Sequence, residues 1–513
     1  MAIVASAEQP LWQRLAAWTG PGKMDLAATK AACPADDLNA ALLLHTRLYP
    51  GQLHFVPGRP GTWYVWDGRC HRPDESAAIG RLIQDYAAHY ALLLRHAQQD
   101  FNGVVAAGNP QITGRDLQLL QAKRWKEEWG SVTGYAGKLR NAAGLAALRA
   151  VLSEQAGASE QHMADRWPYH LNVANGILDL RTGDLHPHDP AAMMTYCLDT
   201  EWDPGAACPK YQRLLHRAVG GVDETYSALV KALGYALIGD NPFNKIIFLN
   251  GPPANGKTKL LQVLSTVLGA LGHNAEATLI SKAPWGRNAR EEHSIRGARA
   301  ICISETSAAI HIEEAQLKRL TGESEITTHQ HYGVSKNRTS VTWLIIVATN
   351  DMPSILHLDA GVRRRIIVIP MGPSIPEHER DDSLVAQIVA EELPGVLALL
   401  AWGCRAALAE KFAEGTLPTS VLSETQSYIL DQDTIETWLA ERAQAGFGMS
   451  YNGERPKEQP QLLWDSYHRF FGPQPHLNRT EFFAGLNGRH GIERTPDKRW
   501  FTGIKLHEDE WVR

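Results

Sequence analysis

Residues 251–258 read Gly251, Pro252, Pro253, Ala254, Asn255, Gly256, Lys257 and Thr258, a G-x-x-x-x-G-K-T run directly behind the β-branched segment 245–250. A strand that passes through a glycine-bounded turn into a helix can aim backbone N–H groups at an anion, and the helix adds its positive dipole end. In such a turn Lys257 reaches the β- and γ-phosphates of ATP, and the Thr258 hydroxyl completes a Mg²⁺ shell. The run therefore demands an α/β fold with a parallel sheet, because the loop must sit at the C-terminal end of a buried strand.

The acidic partner of such a loop is expected on a neighbouring strand. Residues 300–303 form a short apolar run without alternation, a buried parallel strand, and Glu305 is expected just past its end beside Ser304. A carboxylate there can orient a water and hold the magnesium's hydration shell. Residues 343–350 read as a further buried strand ending at Asn350, and Pro353 stops it. Asn350 offers a donor and an acceptor on one short side chain, which suits a γ-phosphate and a lytic water. Arg363, Arg364 and Arg365 then feed a strand at 366–370. A guanidinium there suits the charge that builds on a γ-phosphoryl group in flight.

This order of parts resembles the superfamily 3 helicases of the poxvirus-type phage and plasmid primase-helicase family. The resemblance runs through Gly251–Thr258, Ile303–Glu305, Leu317–Gly322, Ala348–Pro353 and Asp359–Ile366, and upstream through Leu171–Asp189 and Trp63–Gly68. It implies an AAA+-like ATPase core that hydrolyses ATP with Mg²⁺ and works as a homo-oligomeric ring, a hexamer. Lys257 and Thr258 would hold phosphate and metal, Glu305 would activate water, and Asn350 would sense the γ-phosphate. Arg365, with Arg364 as the fallback, would be a finger inserted into the neighbouring subunit, and Lys318 would lie near that boundary. A hairpin over 326–338 would enter the ring's channel, with His331, Lys336 and Arg338 on phosphates. The segment departs from the family's usual Gly-Gly-Asp, carrying Gly322, Glu323 and Ser324 instead.

Chain organisation follows from composition. Residues 1–205 are expected to form a mixed α+β amino-terminal module, with a helix from Ala77 to Gln98, a hairpin turned at Asp67 and Gly68, and paired strands turned at Thr182 and Gly183. Residues 206–243 read as a helical bundle for oligomerisation, 244–375 as the ATPase core, and 376–444 as a helical lid of two stretches, 385–400 and 402–412. A Gly- and Pro-rich linker precedes a winged-helix-like tail over 461–513. Between His476 and His507 six Lys or Arg face three Asp or Glu, a local excess of cations on a chain of net charge −5. Arg489, Arg494, Lys498 and Arg499 are therefore candidates for phosphate contacts with DNA.

Six cysteines without C-x-x-C spacing disfavour a zinc ribbon or a disulfide framework. The amino terminus has no cationic or long apolar leader, which gives an expectation of a cytoplasmic chain without membrane partners. Asp36 with Asp37, and Asp74 with Glu75, each look like a helix start rather than a two-metal polymerase cluster. The sequence thus points to an ATP-dependent helicase acting on single-stranded or forked DNA in replication of a phage, plasmid or other mobile element, with any primase or polymerase supplied separately. The alternatives are an ATP-switched DNA-binding, origin-recognition or defence scaffold, and a primase-helicase with a divergent primase site.

Overall fold

A computed structural model describes residues 26–27, 30, 33–58, 61–158, 167–281, 295–306, 311–322, 326–329, 336–339, 341–355, 359–446, 455–472 and 477–507. The chain divides into two compact units: residues 1–167, 172–178 and 185–201 in the first, and 168–171, 179–184 and 202–513 in the second.

In the first unit, strands Leu53–Val56, Thr62–Trp66 and His71–Pro73 form an antiparallel meander. The turn falls where Asp67 and Gly68 predict it, with Gly68 at φ +103° and the Asp67 carboxylate accepting from the Arg69 and Cys70 amides at 2.8 Å. Three helices follow, Ala78–Ala107, Gly114–Lys138 and Ala142–Gln155, the first running nine residues beyond the expected Gln98. Their apolar faces close on a core that includes Tyr86, Tyr90 and the stacked pair Trp125 and Trp129, 4.7 Å between ring centroids. The two acid pairs are put to use as caps. Asp36 accepts from the Asn39 amide at 2.8 Å, and Asp74 accepts from the Ala78 and Ile79 amides at 2.7 and 3.0 Å.

The second unit is built on five parallel strands: β1 (Ile246–Asn250), β2 (Gly272–Ala275), β3 (Ala300–Thr306), β4 (Leu344–Thr349) and β5 (Ile366–Pro370). Across the sheet the order is β5-β1-β4-β3-β2. The central strands read as unbroken apolar runs because helices cover both faces. Ile246, Ile247, Phe248 and Leu249 are all fully buried, each contributing on the order of 1.5–3 kcal/mol. The edge strand β5 is covered by helix Thr419–Gln432, whose Thr425 hydroxyl accepts from the Val368 amide at 2.9 Å.

Two helices precede β1, Pro209–Ala218 and Asp223–Tyr235. The second crosses helix Leu393–Glu410 at contact distance through glycine. A Cβ at Gly234 would stand 2.3 Å from the Leu400 carbonyl, and one at Gly403 would stand 2.3 Å from the Val230 carbonyl. Leu393–Glu410 is long and apolar enough to cross a membrane, and its Val396, Leu397, Leu400 and Cys404 are buried.

Two expectations need correction here. The lid helices are Leu384–Glu391 and Leu393–Glu410, so the break falls at Glu392 rather than Ala401. Pro394 stands in the first turn of the second helix, and the Glu392 carboxylate accepts from the Lys210 and Tyr211 amides, both at 3.0 Å, capping helix Pro209–Ala218. The tail also begins earlier than 461. Helix Thr434–Arg442 gives Ile435, Trp438 and Leu439 to a core shared with helices Pro460–Phe471 and Arg479–Leu486. The supposed linker supplies strands at both ends: Ala443–Ala445 pairs with Ile504–Leu506, and Lys457–Glu458 pairs with Phe501–Thr502.

Candidate active site

The turn between β1 and helix Lys257–Leu268 opens into a cavity of about 520 Å³ at the C-terminal ends of the parallel strands. Its backbone is specific. Gly256 adopts φ +99° and Ala254 φ +59°. A Cβ at Gly251 would lie 2.8 Å from both the Cβ and the carbonyl of Met371, so glycine is required there for close approach. The segment after β5 braces the loop: the Ile375 amide donates to the Ala254 carbonyl at 2.8 Å, and the Ser374 hydroxyl to the Pro253 carbonyl at 2.6 Å. The Asn255 amide group donates to the Gly372 carbonyl at 3.2 Å. No local pattern announces this brace, because each contact joins groups more than a hundred residues apart and ends on a backbone carbonyl.

Lys257 is only 6% exposed and folds back on the loop. Its ammonium donates to the carbonyls of Gly251 and Pro252 at 2.7 and 2.8 Å and to Asn255 Oδ1 at 3.0 Å. Burial lowers its pKa from 10.5 to about 8, since none of its partners carries a charge to offset desolvation. A cation held by neutral oxygens beside a cavity can be drawn off them by a polyanion. Pro253, Ala254, Asn255, Gly256, Thr258 and Asn350 line the same cavity, Thr258 and Asn350 exposed to it.

Glu305 lies on β3 itself, not beyond it. Ser304 pairs with Ala348 and Thr306 with Thr349, which leaves Glu305 as the extra residue of a bulge. Bulges recur beside active sites because they re-aim one side chain without ending the strand. Its backbone is thus one strand removed from the loop, across β4.

A further face of the cavity was not anticipated. Lys210, Arg213 and Arg217 stand three and four residues apart on helix Pro209–Ala218 and all line it. That spacing, visible in the sequence, puts three cations on one side of a helix. Lys210 pairs with Glu391 at 2.7 Å and Arg217 pairs with Glu379. Arg213 is exposed and has no partner among the described residues.

The three consecutive arginines separate sharply. Arg365, the first choice for a finger, is 8% exposed, and its guanidinium donates to Thr321 Oγ1 at 2.7 Å, the Lys318 carbonyl at 3.2 Å and the Gly361 carbonyl at 3.1 Å. It ties its own loop to helix Glu314–Gly322 and cannot extend toward another subunit without leaving a buried site. Arg363 pairs with Asp433, whose carboxylate also accepts from Arg489 at 2.7 Å. Arg364 lies exposed between these two anchored neighbours. Lys318 pairs with Asp359 at 2.5 Å and with Glu314, and these carboxylates raise its pKa.

Among the DNA candidates, strands Ile326–His329 and Lys336–Thr339 pair antiparallel, with His329 opposite Lys336. His331 lies outside the described residues, and Lys336 and Arg338 are placed by backbone alone. In the tail, Arg489 is already paired with carboxylates. It donates to Asp433 at 2.7 Å and to Glu436 at 3.3 Å, charge that phosphate would have to displace. Arg494, Lys498 and Arg499 instead share a separate cavity with Trp500.

Residues 44–220 match the family described as D5 N terminal like, so this stretch carries a domain of that kind. A protein of Acanthamoeba polyphaga mimivirus named "Putative helicase L207/L206" is 25% identical over 215 residues, 41% of this chain and 22% of that protein. The chain thus spans about a fifth of the length of that curated relative, at 22%. Among solved structures, the apo C-terminal region of NrS-1 covers 60% of this chain and 77% of its own at 12% identity and a TM-score of 0.37. A second apo form of that region gives 11% identity and a TM-score of 0.34 over the same shares.

Proposed function

We propose that this chain is an ATP-driven motor acting on DNA, a helicase of the superfamily 3 type that serves replication of a virus, phage, plasmid or other mobile element. The observation that carries the reading is Lys257, a buried ammonium resting on neutral loop oxygens, in one cavity with Thr258 and Asn350 at the ends of parallel strands. The match of residues 44–220 and the mimivirus relative support the replication context.

In this reading the triphosphate lies along the loop from Gly251 to Gly256, and Lys257 leaves its carbonyls for the β- and γ-oxygens. Arg213 reaches the phosphates from the opposite wall. Thr258 and Ser304 fit a hard cation, being exposed hydroxyls at the loop and at the end of β3. Mg²⁺, when bound, neutralises charge on the β- and γ-phosphates. Asn350 orients the lytic water and Glu305 accepts its proton. Arg364 of one subunit meets the γ-phosphate held by the next, which makes the working form a ring, expected to be a hexamer in the cytoplasm. The hairpin 326–339 would follow the DNA backbone through its centre, and primers would come from a separate primase or polymerase.

The test is hydrolysis of ATP by the purified chain with and without single-stranded DNA, beside Lys257→Ala. DNA-stimulated turnover that Lys257→Ala abolishes is expected. Equal turnover in the variant would refute the assignment of the site.

A further inference from the structure

The tail holds a second cavity, about 930 Å³, between helices Pro460–Phe471 and Arg479–Leu486 and the turn that joins Glu493–Arg494 to Phe501–Thr502. Arg479, Arg494, Lys498 and Arg499 line it together with Phe483 and Trp500, and among the described residues no carboxylate does. On a chain of net charge −5 this is a local concentration of positive charge. The nearby acids among the described residues each have partners. Glu481 accepts from the Asn478 amide in a capping box, Glu493 pairs with Arg455 at 2.9 Å, and Asp497 accepts from the Thr495 hydroxyl and the Arg499 amide.

Two of the four cations lie over aromatic rings. The Arg494 guanidinium lies 5.2 Å from the Phe483 centroid and 5.5 Å from that of Phe501, and Arg479 lies 5.6 Å from Phe483 while donating to Gln461 at 2.6 Å. A cation–π contact restrains a guanidinium and leaves its N–H groups able to donate. Arg494 Nε is buried with no hydrogen-bond partner among the described residues, a donor in the groove wall. The other two, Lys498 and Arg499, are exposed at the turn, next to the half-buried Trp500.

Fixed donors, mobile cations and a partly open indole in one groove suit a polyanion that also carries flat apolar rings. We infer that this groove binds a single strand of DNA, with Arg479, Arg494, Lys498 and Arg499 on consecutive phosphates and Trp500 stacking on a base. The choice of a single strand rests on Trp500, because a base must be unstacked to meet it, and the choice of DNA rests on the function proposed above. This assigns Arg479 and Trp500, which charge counting alone does not reveal, and leaves Arg489 to its carboxylates.

The experiment is fluorescence anisotropy of a labelled oligothymidine with the full chain across a salt titration, without nucleotide. Lys498→Gln with Arg499→Gln removes two exposed cations and should make the log–log salt slope shallower by roughly 1.4, at about 0.7 per phosphate contact on a single strand. Trp500→Leu should weaken binding about tenfold with the slope unchanged, the signature of a lost stacking contact. Thermal melting of each variant establishes that it is folded. An unchanged slope in the double variant overturns the phosphate assignment. Equal affinity for a blunt duplex overturns the stacking role, and tighter binding of polyglutamate than of the oligonucleotide overturns the choice of nucleic acid. Because nucleotide is absent, a chain that binds strand here but hydrolyses no ATP refutes the motor and spares the groove, and the reverse result does the opposite.

Discussion

Nucleotide affinity should fall as pH rises through 8, and the cause is one side chain. Lys257 is buried against two carbonyls and an amide oxygen, so its ammonium gives up its proton near pH 8 rather than 10.5. A bound triphosphate supplies the negative charge that the loop lacks, which raises the amine's pKa and makes binding take up a proton above pH 8. Between pH 7 and pH 9 the free site passes from mostly charged to about nine-tenths neutral. The apparent dissociation constant should therefore rise about tenfold, near 1.4 kcal/mol. The last phosphate ionisation, with a pKa of about 6, lies below this window, so the ligand contributes little. Calorimetry with a non-hydrolysable ATP analogue, in two buffers of different ionisation enthalpy, reads both the affinity and the proton. Lys257→Arg keeps its charge throughout and should lose the dependence. A flat profile in the wild type, or the same slope in Lys257→Arg, would refute the argument.

The remaining expectations concern neighbours of that loop. Arg365→Ala should lower stability by about 2–4 kcal/mol, as the buried contacts to Thr321, Lys318 and Gly361 are lost, whereas Arg364→Ala should melt like the wild type yet hydrolyse roughly 10³-fold more slowly. Mixing Arg364→Ala with Lys257→Ala protein should restore some turnover, since mixed interfaces pair an intact loop with an intact finger. Arg213→Ala should weaken nucleotide binding about tenfold without a change in melting temperature, because it removes an exposed cation from the cavity wall. Gly234→Ala should destabilise by about 1–3 kcal/mol or more, since the new methyl meets the backbone of Leu400 and Cys404, and chemical denaturation measures it.

The core was legible wherever local pattern dictates structure. Apolar runs of β-branched residues became the strands β1, β3, β4 and β5, and the glycine spacing of 251–256 became the turn. Asp36 and Asp74 read correctly as caps because a cap is made within five residues of its helix. What escaped depends on contacts distant in sequence. Arg363, Arg364 and Arg365 are chemically identical, and only Asp433 and Thr321, about 70 and 44 residues away, tell them apart. Glu392 ends one helix in order to cap another, whose Lys210 amide lies 182 residues earlier. The tail boundary failed for the same reason, since helix Thr434–Arg442 is amphipathic toward partners that follow it by some thirty to fifty residues.

Strand separation tests the central claim most directly. The purified chain, given ATP, Mg²⁺ and a forked DNA duplex with one labelled strand, should release that strand, and Lys257→Ala protein should not. Hydrolysis of ATP that proceeds at full rate on DNA while the fork stays paired would contradict the account and leave a nucleotide-switched DNA-binding protein in its place.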